Sequence, residues 1–194
     1  MSGVLSNECH KDIKMRHRLV ALLVGLAFIV ITGCASAPNN WQQDISGLAQ
    51  QTRALGGDVQ ASEADRLARI AYEYSAQLAK DYNVTDAPLI HNTKVNQGLR
   101  PRGLCWHWAD DLEARLRKEG FQSLSLHRAI ANSDNLLIQH STVIVSAKGD
   151  PMSKGIVLDP WRYGGKLFWA PIAGDTRYRW KPRSDVFSER RARQ

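Results

Sequence analysis

Three residues of this 194-residue chain have the types and order that thiol chemistry needs: Cys105, His140 and Asp159, with 34 and then 18 residues between them. A thiolate attacks a carbonyl carbon, an adjacent imidazole manages the proton, and a third group orients that imidazole. Cys105 follows a segment containing Pro101 and Gly103, and it opens a run in which Ala109, Leu112 and Leu116 share one helical face. At the start of a helix, free backbone N–H groups and the helix dipole favour negative charge, and so favour thiolate over thiol. The same N–H groups can stabilise an oxyanion once attack has occurred. His140 stands inside an apolar, β-branched stretch, and Asp159 ends the next one. Adjacent antiparallel strands can set the two side by side, with the helix end packed across them.

Other residues compete for these roles. His107 is nearer in sequence, but two positions along a helix is about 200° of rotation, which turns it away from Cys105. His127 falls on the preceding strand, and His91 lies in a loop without clear period. Asp150 fits a turn, and Asp110-Asp111 fit a solvated helix turn. Thiolate and imidazole also bind zinc, so Cys105, His107 and His140 form a conceivable metal set. It lacks the second cysteine or spaced histidine pair of familiar zinc sites. Asn96 and Gln97, in the loop before the thiol, are the candidates for an additional oxyanion donor. Arg100 and Arg102 are candidates to meet a substrate carboxylate, against the plainer reading of exposed loop arginines. Trp106, Trp108, Trp161 and Trp169 either line a cleft near the thiol or fill the core.

The elements that must position these residues follow from periodicity. Trp41, Ile45, Leu48 and Leu55 fit one helical face, ended by Gly56-Gly57. Ser62-Glu63-Ala64-Asp65 reads as a capping box opening a second helix, whose stripe of Leu67, Ile70, Ala71, Tyr74 and Leu78 runs to about Tyr82. Asp86 to Gly103 reads as a loop with a short helical turn. A helix over Cys105–Glu119 stops at Gly120. The period then changes, and strands are predicted over Gln122–Ile130, Leu136–Ala147, Gly155–Leu158 and Leu167–Trp169. Helices first and strands afterwards imply an α+β fold, with N-terminal helices packed on an antiparallel sheet. The expected organisation is a leader over 1–33, a tether with a short helix over 34–60, the domain over 61–181, and a flexible basic tail over 182–194.

The motifs Gly103-Leu104-Cys105-Trp106, His140-Ser141-Thr142-Val143-Ile144-Val145 and Val157-Leu158-Asp159-Pro160-Trp161 resemble the transglutaminase-like branch of the papain-like thiol enzymes. The resemblance spans roughly Leu67 to Trp169. It implies a core in which the cysteine opens a helix, the histidine lies on a following strand and the aspartate on the next. It further implies a catalytic triad of Cys105, His140 and Asp159, acting as hydrolase, peptidase or acyltransferase without a cofactor. The rival expectation is a non-catalytic binding or scaffold protein on the same fold.

The amino end implies where such a protein works. Lys11, Lys14, Arg16 and Arg18 precede the apolar run Leu19–Ile31, which is too short for a membrane-spanning helix and suits a signal peptide. Ile31-Thr32-Gly33-Cys34 then resembles the lipobox of bacterial lipoproteins. This implies cleavage before Cys34 and membrane anchoring through lipid on that cysteine. The alternatives are an ordinary signal peptide or an uncleaved anchor. Met15 is a more typical start than Met1. In a cell that has an outer membrane, Ala35 after the lipidated cysteine implies sorting to it, facing the periplasm, with envelope protein or peptidoglycan peptide as the accessible substrate.

With residues 1–33 removed, 22 basic and 17 acidic residues remain, a net charge of +5. Much of the excess lies from Arg177 onward, where a basic terminus either touches anionic lipid or is simply solvated. Export would keep the chain from nucleic acid, so its basicity does not suggest a nucleic-acid interface. Cys105 is left as the lone cysteine of the exported domain. In an oxidising compartment that implies a reactive thiol or a partner chain, against an inert buried thiol.

Overall fold

A computed structural model describes residues 40–135 and 137–193. The expected leader, the lipidation site Cys34 and the start of the tether lie outside the described residues. Four helices come first: α1 over Asn40–Arg53, α2 over Ala61–Asp81, α3 over Pro88–Asn96 and α4 over Cys105–Arg117. Strands β1 (Leu124–Ala131), β2 (His140–Ala147), β3 (Ile156–Asp159), β4 (Phe168–Pro171) and β5 (Lys181–Pro182) follow, and α5 (Arg183–Ala192) closes the chain. The fold is α+β, with one five-stranded antiparallel sheet in the order β4-β3-β2-β1-β5.

One face of the sheet takes the helices. Leu48 from α1, Leu67 and Ala71 from α2, and Leu112 and Leu116 from α4 meet Val143, Val145, Ile156 and Leu158 in a single cluster. Each large aliphatic side chain buried there contributes about 1.5–3 kcal/mol of transfer free energy. The intervening strand residues face the other way: Ile144 and Val157 join Ala129 and Met152 beneath Phe168, Ile172 and Trp180. Both faces of β2 are therefore covered, which explains its nearly unbroken burial. α1 contributes to the shared core, so it is more than part of a tether.

Three local features depart from the sequence reading. α2 starts at Ala61 with Gln60 as its N-cap, and no side-chain cap forms. Glu63 is instead buried and accepts bonds from the Gln122 and Ser123 N–H groups and the Ser123 hydroxyl, at 2.6–2.8 Å. The carboxylate thus pins the helix to the turn entering β1. Residues 88–96 form a nine-residue helix, with Pro88 in its first turn, longer than the short helical turn expected within that loop. Arg183–Ala192 form a helix rather than a frayed tail. Its Val186 is buried, and Arg190 donates to Ser133 O at 2.8 Å and also bonds the Gln139 side chain.

Candidate active site

The antiparallel register sets the ends of two strands beside each other. β2 pairs with β3 through Val143↔Leu158, so His140 at the start of β2 and Asp159 at the end of β3 fall at the same edge. His140 Nε2 lies 2.7 Å from Asp159 Oδ2, and both residues are buried. The bond assigns Nε2–H to the imidazole as donor and leaves Nδ1 as the free ring nitrogen. That nitrogen is buried without a hydrogen-bond partner of its own.

Cys105 begins α4 from the opposite side. Its Sγ is partly exposed and lies 3.7 Å from Gln139 O, the carbonyl immediately before His140. The thiol is near enough to influence the imidazole. Burial alone pushes the proton affinity of His140 down, but the Asp159 carboxylate and then Cys105 outweigh it, and the pKa is pushed up to about 9. These neighbours favour the charged form of the ring. Trp161 and Tyr178 each lie 4.7 Å from it between ring centroids, and Trp180 lies at 5.4 Å. Aromatic faces so placed favour a cation.

The start of α4 is braced by its own loop. Gly103 has φ +127°, and a Cβ there would overlap the His91 ring. His91 Nε2 meets Arg102 O at 2.9 Å, and Trp108 Nε1 donates to Gly103 O at 2.9 Å. His107 Nδ1 accepts from the N–H groups of both Gly103 and Leu104 at 3.2 Å. Burial, then the nearby Arg102, push the His107 pKa down, consistent with a neutral acceptor. The first helical bond runs from His107 N to Leu104 O at 2.8 Å, so the N–H groups of Cys105 and Trp106 stand ahead of it.

The remaining candidates are placed elsewhere. His127 meets Ser146 Oγ at 2.8 Å, Asp150 takes Lys154 at 3.0 Å, and Asp110 pairs with half-buried Arg128. Asp111 holds Arg102 at 2.9 and 3.0 Å, and Arg100 donates to Asn83 O at 3.2 Å. Asn96 and Gln97 lie exposed at the far end of α3. It is Asn92, one turn earlier, that touches the site's surroundings: it accepts from Trp161 Nε1 at 3.1 Å. Trp108 is core, Trp169 donates to Tyr72 at 2.7 Å, Trp161 flanks His140, and Trp106 is exposed with its ring against His107.

Two residues absent from the sequence reading complete the arrangement. Arg162 is buried and donates through its backbone N to Asp159 Oδ1 at 3.2 Å and through Nε to Oδ2 at 3.0 Å. Its two terminal nitrogens grip Asp175 at 3.0 and 2.7 Å, and Asp175 also accepts from Trp180 Nε1 at 2.9 Å. The guanidinium stacks 3.7 Å above the Phe168 ring centre. Burial opposes ionisation of Asp175, but these bonds hold its carboxyl below the usual range. A sequence signal was present in Pro160-Trp161-Arg162, directly after the candidate aspartate. Among the described residues, no group of three or more His, Cys, Asp or Glu side chains could hold a metal ion.

Comparison with family models, with curated proteins and with solved structures finds no match to this chain.

Proposed function

We propose that this protein is a thiol amidohydrolase, peptidase or acyltransferase of transglutaminase-like type, with Cys105 as nucleophile, His140 as proton carrier and Asp159 as orienting acid. The observation that carries the reading is the His140 ring. One nitrogen is bound to a fully buried carboxylate, and the other is unpartnered beside a thiol that opens a helix.

The chemistry follows from those placements. Cys105 as thiolate attacks a carboxamide carbon and forms a C–S bond, while the carbonyl π electrons move to oxygen. The N–H groups of Cys105 and Trp106, which stand ahead of the first helical bond, are the donors assigned to that oxyanion. Collapse of the tetrahedral intermediate breaks the C–N bond. The imidazolium of His140 gives its proton to the leaving amine, and an acyl-thioenzyme remains. Water, deprotonated by the now neutral imidazole, completes hydrolysis and restores the thiol. An amine in place of water completes transamidation. Asp159 keeps the ring oriented and stabilises its charged form. No cofactor enters this cycle.

The location belongs to the same proposal. Lipid on Cys34 holds the domain at a bacterial membrane, with envelope protein or peptidoglycan peptide as substrate. The support is the basic run, the thirteen-residue apolar stretch and the Ile31-Thr32-Gly33-Cys34 motif.

Iodoacetamide alkylation of Cys105, followed across pH by peptide-resolved mass spectrometry, tests the site. Reactivity persisting to about pH 6 and falling at least about tenfold in His140→Ala supports a coupled thiol and imidazole. Reactivity indifferent to His140 would sink the enzyme in favour of a binding or scaffold lipoprotein.

A further inference from the structure

The pair His140–Asp159 does not end at Asp159. Its carboxylate is fully buried, and both of its oxygens are held by a single residue, Arg162. Oδ2 receives His140 Nε2 and Arg162 Nε together, while Oδ1 receives the Arg162 backbone N–H. The far side of the guanidinium is closed by Asp175 in a two-pronged pair, and Trp180 fixes Asp175 in turn. Charges therefore alternate inward: imidazolium, carboxylate, guanidinium, carboxylate. Tyr178 touches both cations, 4.7 Å from the His140 ring and 4.9 Å from the Arg162 guanidinium.

We propose that Arg162, anchored by Asp175, is a positioning residue that locks the Asp159 carboxylate against His140 and balances the charge behind it. The proposal rests on the reading that His140 serves Cys105. Three observations favour this role over simple structural pairing. The guanidinium divides its donors between two carboxylates, one of which is the imidazole's own partner. It shares an oxygen with that imidazole, so any rotation of the carboxylate would break both contacts at once. Its planar fork is also held by Phe168, so neither bond can drift independently.

Cys105 from α4, Asp159 from β3 and Tyr178 from the segment before β5 face His140, and Arg162, from the turn after β3, stands behind Asp159. Of these, Arg162 works against the imidazolium, and Asp175 offsets Arg162. Removing one or the other must therefore move His140 in opposite directions. Asp175→Asn leaves the guanidinium uncompensated and lowers the pH at which His140 titrates. Arg162→Met removes the competing cation and raises it. A pair whose charges did not reach His140 through Asp159 would leave the titration unchanged in any variant that still folds.

The test is nuclear magnetic resonance titration of histidine-labelled full-length chain, with circular dichroism reporting the fold and His140→Gln assigning the signal. The expected result is a downward shift of about one pH unit in Asp175→Asn, with partial return in Asp175→Glu. Arg162→Met strands two buried carboxylates, so the nearly isosteric Asp175→Asn carries the test if that variant does not fold. An unmoved His140 midpoint in folded Asp175→Asn overturns the proposal. A shifted midpoint alongside Cys105 alkylation that ignores His140 would remove the enzyme reading and leave Arg162 as the residue that positions the pair.

Discussion

Gly103, two residues before the thiol, adopts a backbone conformation that costs a non-glycine residue about 1–3 kcal/mol. A Cβ would in addition overlap His91, whose ring supports the carbonyl of Arg102. The bond from Trp108 to Gly103 O and the two N–H groups received by His107 depend on the same loop path. Gly103→Ala should therefore destabilise the fold by at least about 2 kcal/mol in chemical denaturation. It should also slow Cys105 alkylation in the fraction that remains folded. A wild-type unfolding midpoint would show that the loop can take another path. The same residue-scale logic makes His140 and Arg162 unequal neighbours of Asp159. One is an imidazole that can gain or lose a proton, and the other is a fixed charge.

At the scale of elements, α5 has a role that its charge does not suggest. Arg190 bonds Ser133 O and the Gln139 side chain, and the Gln139 carbonyl lies against Cys105 Sγ. The terminal helix thus braces the turn between β1 and β2 beside the candidate nucleophile. Arg190→Ala should increase deuterium uptake in the peptide covering Ser133 and Gln139, while β3 stays protected. Equal uptake in both proteins would mean the turn is held by its own contacts, such as Asn132 Nδ2 to Ile138 O at 3.1 Å. α2 performs a comparable service through Glu63, which ties it to the start of β1.

For the molecule as a whole, buried charges set how stability varies with pH. His140 is raised to about 9 from an ordinary value near 6.5, because Asp159 outweighs the cost of burial. Its contribution is thus fully present below about pH 6.5 and is lost as pH rises through about 9. Glu63 and Asp175 are held below their ordinary values, so their contributions are present above the usual carboxylate range and are lost in acid. The melting temperature should fall between about pH 6.5 and 9.5, and Asp159→Asn should flatten that alkaline slope while lowering the whole curve. An unchanged slope in Asp159→Asn would place the alkaline loss on another group.

Local pattern carried the long elements. The stripe from Leu67 to Leu78 and the face of Leu112 and Leu116 each reflect burial of one face, and the unbroken run Val143-Ile144-Val145 reflects burial of both. Such burial leaves a period that can be read without knowing what packs against it. Order along the chain likewise made Cys105, His140 and Asp159 candidates before any distance was known. α3 and α5 escaped because they bury almost no apolar surface: His91 is the buried residue of the first and Val186 of the second. Ser62 and Glu63 matched a capping pattern, but tertiary contact with Ser123 claimed the carboxylate. The pairing of Arg162 with Asp175 was not legible for a related reason, although Arg162 stands close behind Asp159 in sequence. No periodicity says which arginine and which aspartate, thirteen positions apart, will desolvate each other, because that choice depends on strands β3 and β4 bringing the two turns together.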